Sequence, residues 1–372
     1  MPHVTRRELG RLGARGLLGA AAARLQAGPA VPGRPDGFLT DVPGLRVGHF
    51  TDSRRPTGCT AILFDEPAVA GADYDGSAPG ELLGVMLQPV SPVARIHGIL
   101  LTGGGPMGLG AVGGAVQFLE SRGLGYAWGG PNVRVPIVVG AVIDDLAVGD
   151  GRIRPDPEAA MRACAAARSG PIEEGSVGAG AGATVGKMFV GRGWPGMKGG
   201  LGTASIRTGD LVVAALAIVN AAGDVRDWRS GRIVAGARLA DGSGFADSAR
   251  QLREAFDRAA HRAATIVEDR PLHATTLSVI ATNVTLDKTQ LTKLAMMANT
   301  GAARAVSPYH TDGDGDQVLA VSTEKTARAD LSLTVLGAVA AEAVATAIVR
   351  GVMTATGVPG WAAARDLGSE PR

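Results

Sequence analysis

Aromatic residues are scarce in this chain, with 7 Phe, 4 Trp and 3 Tyr among 372 residues. A core without large rings has to be built from Val, Leu, Ile and Ala packed closely together. Cysteine is nearly absent too. Cys59 and Cys164 stand far apart, outside any CxxC or Cys/His pattern. That argues against a disulfide framework and a zinc site and leaves two free thiols. There is no excess of charge: 37 Lys and Arg face 35 Asp and Glu, with no basic block in the body of the chain. Nucleic-acid binding, which needs a concentrated basic face, is not expected. A long unbroken apolar run is also missing. Leu331 to Val349 has the length of a membrane span, but Glu342 sits in its middle and most of it is Ala. A helix buried inside an α/β core reads the same way, and that is the expectation here.

Glycine, by contrast, is abundant. With 55 Gly and 21 Pro, the two make up about a fifth of the chain, while 45% of the residues are hydrophobic. This is below the level of a low-complexity chain and excludes a collagen-like or disordered one. Residues 1–35 differ from the rest. Arg6-Arg7 precedes a run of small residues, Gly16 to Ala23, interrupted by Arg15 and closed by Arg24. The segment reads either as a twin-arginine export signal, which would place the protein in the periplasm, or as a disordered extension of a cytoplasmic one.

Apolar runs alternate with glycine punctuation in the body of the chain. Strands are expected at 98–101, 136–143, 211–219, 275–282 and 317–323. Helices are expected at 111–122, from Pro157 through Ala167, at 244–268, at 286–306 and over the buried run that closes the chain. Asp156 is the expected N-cap of the second helix, with Pro157 in its first position and Glu158 in its first turn. The pattern predicts a mixed α/β fold with sheet buried between helices.

Several motifs nearly match. Gly103, Gly105 and Gly108 satisfy G-x-G-x-x-G, but Pro106 falls where the helix should begin. The milder reading is a tight strand-to-helix turn whose amides face a pocket, with Gly103 and Gly104 as substrate-binding candidates. Gly178 to Lys187 (GAGAGATVGK) fails as a phosphate loop, because Ala181 replaces the first glycine and Met188 the hydroxyl residue. Asp312-Gly313-Asp314-Gly315-Asp316 opens like a calcium loop, but Gln317 and Thr323 occupy the positions that need Gly and Glu. No metal and no cofactor is expected. Three carboxylates in five residues would repel one another unless a cation lies near.

A larger set of segments is more specific. Thr40 to His49 (TDVPGLRVGH), Gly58-Cys59-Thr60, Leu101 to Gly104, Gly178 to Lys187, Met197 to Gly202, Asn220 to Asp224, the TTLSVIATN strand from Thr275, and His310 to Asp316 occur in order and at matching spacing. From about residue 38 to about 350 the chain resembles the self-processing aminopeptidase family that includes D-aminopeptidase/esterases, β-peptidyl aminopeptidases and nylon-oligomer hydrolases.

The resemblance implies an αββα four-layer sandwich, N-terminal-nucleophile-hydrolase-like, that cuts its own chain. The cut would fall between Ala274 and Thr275. It would leave residues 36–274 as an α part, 275–354 as a β part of the same domain, and 355–372 as a tail. Thr275 matches the nucleophile, and its freed amine, at pKa ~7.7–8.0, suits a base. Lys187 matches a Lys beside the nucleophile, Asn220 the donor to the oxyanion, and Asp314 and Asp316 the carboxylate pair of the nylon-oligomer branch. The implied substrate is a small peptide or amide, and the implied assembly a homo-oligomer of α/β pairs, a tetramer. Two positions depart from the pattern. Ala274 stands where Asn or Gly is usual, and Asp144 where an aromatic is usual, which makes Asp144 a substrate-binding candidate. The alternatives are an acyltransferase of the ornithine acetyltransferase type and, because of Ala274, an uncut precursor serving as a binding protein.

Overall fold

A computed structural model of the chain describes residues 37–260, 274–327 and 330–367. The expectations for residues 1–35 and for the end of the 244–268 helix therefore lie wholly or partly outside the described residues.

The first half runs β1 (Leu45–Thr51), β2 (Gly58–Asp73), β3 (Glu81–Leu82), β4 (Arg95–Thr102), α1 (Val112–Glu120), β5 (Val138–Val142), α2 (Pro157–Ala165), β6 (Thr184–Val185) and β7 (Met197–Lys198). There follow β8 (Gly200–Thr208), β9 (Leu211–Asn220), β10 (Asp224–Arg226), β11 (Ile233–Ala235), α3 (Ser248–Ala260), β12 (Thr275–Val284), α4 (Lys288–Ala305), β13 (Val306–Ser307), β14 (Gln317–Thr326) and α5 (Leu333–Thr354). Helix starts follow the capping rules. Asp156 accepts from Ala159 N at 2.9 Å, and Asp287 and Gln290 form a reciprocal capping box at α4.

Eight strands form one path, β3-β5-β4-β2-β14-β12-β9-β8, with β1 added beside β2. The 16-residue β2 is the hinge of this arrangement. Its first half pairs with β1 and β4, its last five residues pair with β14, and its register against β4 shifts between Leu63 and Ala68. Side-chain alternation shows the consequence. In β9, Val213, Ala215, Ala217 and Val219 join a core shared with α4 and α5. Val212, Ala214, Leu216 and Ile218 join a different core, which also takes Ile62, Ile99, Leu101 and Val139 from β2, β4 and β5. A third core lies between β2, β4, β5 and the helices α1 and α2. Three cores separate four layers in the order α, β, β, α, as the resemblance implied.

Scarce aromatics and abundant glycine have a physical explanation here. Helix α5 lies directly on β8, and a Cβ on Gly202 would stand 2.0 Å from the carbonyl oxygen of Ala347. Backbone meets backbone where bulky side chains would hold the layers apart. Helix α5 is long and apolar enough to cross a membrane, but it is mostly buried against α4, β8 and β9.

Candidate active site

Parity along the strands places the site. Leu277, Val279 and Ala281 of β12 point into the core between the two sheets, so Thr275 at the strand start points the same way. Asn220 ends β9 on the matching parity, and the antiparallel register sets it directly opposite Thr275. Both are buried. Residues far apart in the chain are thus brought to one strand end, facing the gap between the sheets.

The Ala274–Thr275 peptide bond is held from two sides. The Thr275 hydroxyl donates to the carbonyl oxygen of Ala274 at 2.5 Å, and the Gly315 amide donates to the same oxygen at 2.9 Å. Ala274 and Asp314 form a parallel bridge. A side chain on Gly315 would come within 2.8 Å of Thr275 Oγ1 and 2.4 Å of the Ala78 carbonyl oxygen. Only glycine lets this backbone approach so closely. Sequence reasoning did not single out Gly315 as functional. Its only signal was its place between Asp314 and Asp316.

Asn220 has its amide orientation fixed by its partners. The Thr184 amide donates to Oδ1 at 3.0 Å, Lys187 Nζ donates to Oδ1 at 3.0 Å, and Nδ2 donates to the Asp144 carbonyl oxygen at 3.1 Å. An amide group has two N–H donors, so one remains for a reacting oxygen. Burial pushes the Lys187 amine down to about 8, against the opposing pull of Asp314, Asp144, Asp145 and Asp316. Lys187 supplies what the acidic run needed, a cation within reach of Asp314 and Asp316.

The two aspartates diverge. They precede β14 and do not present one strand face, as a two-residue spacing in an extended strand would. Asp314 Oδ2 accepts from the Thr311 amide at 2.9 Å and hydroxyl at 2.6 Å, while its Oδ1 is buried without a hydrogen bond. Burial and the charge of Asp316 raise the Asp314 pKa. Asp316 Oδ1 accepts from the Thr276 amide at 2.5 Å, next to the nucleophile candidate.

A cleft of about 890 Å³ opens in front of these residues, with Asp144, Lys187, Phe189, Thr311, Asp312 and Trp361 among its walls. Trp361 comes from the segment expected as a tail, and Lys198 N donates to the Ala362 carbonyl at 2.8 Å, tying that segment to β7. Thr275 is not part of the wall; it is tied to it through Asn220, its strand partner, which bonds to the wall residues Thr184 and Lys187. Gly103 and Gly104 are not part of the wall. The Gly103 amide donates to the Gly58 carbonyl at 2.9 Å, and the Gly104 amide to Asp145 Oδ1 at 2.9 Å.

Asp145 itself, together with Arg55, escaped sequence reasoning. Both are almost fully buried. Arg55 Nη2 meets Asp145 Oδ1 at 2.9 Å, Thr57 donates to Oδ2 at 2.7 Å, and Arg55 also donates to the carbonyls of Val148 and Ile153. The cluster fixes the loop whose preceding residue, Asp144, receives the Asn220 amide. Lys198, fully buried, donates to the carbonyls of Gly180, Ala183 and Gly199 at 2.8–3.0 Å. It pins the segment that carries Thr184 and Lys187.

Four layers, with the candidate nucleophile at a strand start between the sheets, define the class: an N-terminal-nucleophile hydrolase fold of the aminopeptidase type. The chain belongs to peptidase family S58, whose profile matches residues 38–365. It is 34% identical over 357 residues to an uncharacterized aminopeptidase of Mycobacterium tuberculosis, spanning 88% of this chain and 97% of that one. It is 30% identical over 330 residues to a 6-aminohexanoate-oligomer endohydrolase of a Kocuria species, spanning 84% and 86%. Among solved structures, a Burkholderia β-aminopeptidase superposes with a TM-score of 0.62 at 24% identity over 92% of this chain and 97% of that one. The L-aminopeptidase D-Ala-esterase/amidase of Ochrobactrum anthropi, described as a variant of the Ntn hydrolase fold, gives 0.61 at 22% identity over 88% and 89%.

Proposed function

We propose that the chain is a self-processing amide hydrolase whose nucleophile is the Thr275 hydroxyl. One observation carries this reading: the hydroxyl lies 2.5 Å from the Ala274 carbonyl oxygen, and the Gly315 amide donates to that same oxygen. In self-cleavage Thr275 Oγ1 bonds to the Ala274 carbonyl carbon. The C–N bond then breaks, the hydroxyl proton ends on the departing Thr275 nitrogen, and water hydrolyses the resulting ester. The Gly315 amide stays on the oxygen while it carries negative charge, a placement that accelerates acyl transfer. It supplies polarisation that the methyl side chain of Ala274 does not.

Cleavage frees the α-amine of Thr275, a base beside its own hydroxyl. The hydroxyl then attacks a substrate amide, the amine product leaves, and water releases the acyl group. The second N–H of Asn220 faces the oxyanion of this step, and Lys187 holds Asn220 in place. Asp144 and Asp312, on the cleft wall beside Lys187, suit the ammonium of an amino-terminal substrate. The substrates we assign are small N-terminal residues, β-peptides or 6-aminohexanoate-type amides, the classes named for the relatives. Residues 36–274 and 275–354 form the processed α/β pair, assembled as a homo-oligomer in line with the resemblance.

Turnover of alanine p-nitroanilide, β-alanine p-nitroanilide and 6-aminohexanoate oligomers tests this assignment. Thr275→Ala should abolish hydrolysis of whichever probe the wild type cleaves, and Thr275→Ser should retain it. Full activity in Thr275→Ala would sink the proposal. Transfer of the acyl group to an added amine in preference to water would favour an acyltransferase.

A further inference from the structure

We propose that His310 is a positioning residue, which aims Asp316 at the Thr276 amide and so fixes the strand start that bears the nucleophile. The inference rests on the reading of Thr275 as nucleophile.

The chain of contacts is continuous. His310 Nδ1 faces Asp316 Oδ2 at 3.2 Å, and the His310 amide donates to the same oxygen at 3.3 Å. The other carboxylate oxygen takes the Thr276 N–H. On its far side, His310 Nε2 lies 3.1 Å from Asn299 Nδ2. Asn299 is fixed in turn, donating to Asp73 Oδ2 at 2.9 Å and accepting from the Tyr309 hydroxyl at 2.9 Å. These partners select the tautomer. Asn299 Nδ2 is a donor, so Nε2 accepts and the proton sits on Nδ1, which lies 3.2 Å from Asp316 Oδ2 but off the line of a hydrogen bond, so the ring holds the carboxylate by close electrostatic contact. The end of β2 is thus linked through Asn299 of α4 to the imidazole, which lies against a carboxylate bonded one residue past the proposed cut.

Two further features single out position 310. Its backbone adopts φ +54°, the left-handed region that His, Asn and Asp enter more readily than most residues. Burial disfavours a charged ring, yet the close contact with Asp316 and the charges of Asp316, Asp75 and Asp73 outweigh it and raise the His310 pKa. The ring keeps its Nδ1 proton in both charge states, so the grip on Asp316 does not depend on titration.

The test compares His310→Asn, His310→Asp and His310→Ala. Asn and Asp share size and tolerance of the left-handed backbone, but only Asn places an N–H donor where Nδ1 stood. Self-cleavage is followed on denaturing gels, and kcat and KM are measured on the p-nitroanilide or oligomer that the wild type cleaves. His310→Ala and His310→Asp should lose roughly 10–100-fold in processing rate and kcat, the span of a lost hydrogen bond to a charged group. KM should hold, and His310→Asn should restore the rate. Equal rates for Asn and Asp, or a wild-type rate for Ala, would overturn the proposal. Thr275→Ala runs alongside. If it is dead while the His310 variants behave alike, only the positioning role fails; if it is active, the nucleophile assignment fails first.

Discussion

Gly315 is the residue on which the proposed chemistry depends most narrowly. Its amide donates to the Ala274 carbonyl, and a Cβ on it would stand 2.8 Å from Thr275 Oγ1. Gly315→Ala should therefore stop self-cleavage, because its methyl meets the nucleophile on one side and the Ala78 carbonyl on the other. The expected loss is at least ~10²-fold, comparable to removing an oxyanion donor, read as uncut chain on a gel while circular dichroism stays native. Lys187 offers a second residue-scale prediction. Its amine is lowered to about 8, so it becomes a neutral base as pH rises through that value. In the uncut chain no Thr275 amine exists to mask it. The self-cleavage rate should climb between about pH 7 and pH 9, and in Lys187→Arg, which stays charged, the climb should vanish. A time course of uncut protein across that range checks it.

At the scale of elements, the loop after β5 is fixed by the buried Arg55–Asp145 pair. Asp145→Ala leaves a guanidinium in the core with its carboxylate gone, and frees the Gly104 amide and Thr57 hydroxyl as well. A loss of ~3–5 kcal/mol is expected, measured by urea unfolding. The helices and the strands at 98–101, 136–143, 211–219, 275–282 and 317–323 were legible in the sequence, because their apolar periods or β-branched runs reflect burial directly. Strand starts at Thr275 and ends at Asn220 were legible through the family pattern. The Arg55–Asp145 pair was not, since charged residues in loops look solvated until the fold brings 90 residues of separation to contact. Glycine was half legible. Its density suggested amides presented to the site, yet Gly103 and Gly104 bond within the fold, Gly202 serves close packing of α5, and the amide that reaches the Ala274 carbonyl belongs to Gly315. A two-residue spacing would put Asp314 and Asp316 on one face of a strand, whereas a turn ahead of β14 sends Asp314 toward Thr311 and Asp316 toward Thr276 and His310.

At the scale of the molecule, stability and the site share a common element in Lys198. Burial lowers its amine to about 7, only partly offset by Asp145, whereas in the unfolded chain it titrates near 10.4. Between those values the unfolded state binds the extra proton, so the Lys198 contribution to stability should rise with pH from about 7. One such group contributes at most ~1.4 kcal/mol per pH unit. Urea unfolding at several pH values between about 7 and 8 should show a positive slope in the wild type and a flatter one in Lys198→Met; at higher pH the buried thiols of Cys59 and Cys164, held protonated in the fold, pull the other way. The four-layer arrangement matters for function in a similar way. It buries Ala274 and Thr275 between the layers, where the proposed cut would be made by the chain itself.

Intact mass spectrometry of the purified chain, with N-terminal sequencing of the smaller species, tests this most directly. The account predicts two fragments, the smaller beginning Thr275-Thr276-Leu277 and running to the C-terminus, and a single uncut species in Thr275→Ala. A wild-type protein that remains whole at about 37.6 kDa while hydrolysing amides would contradict it.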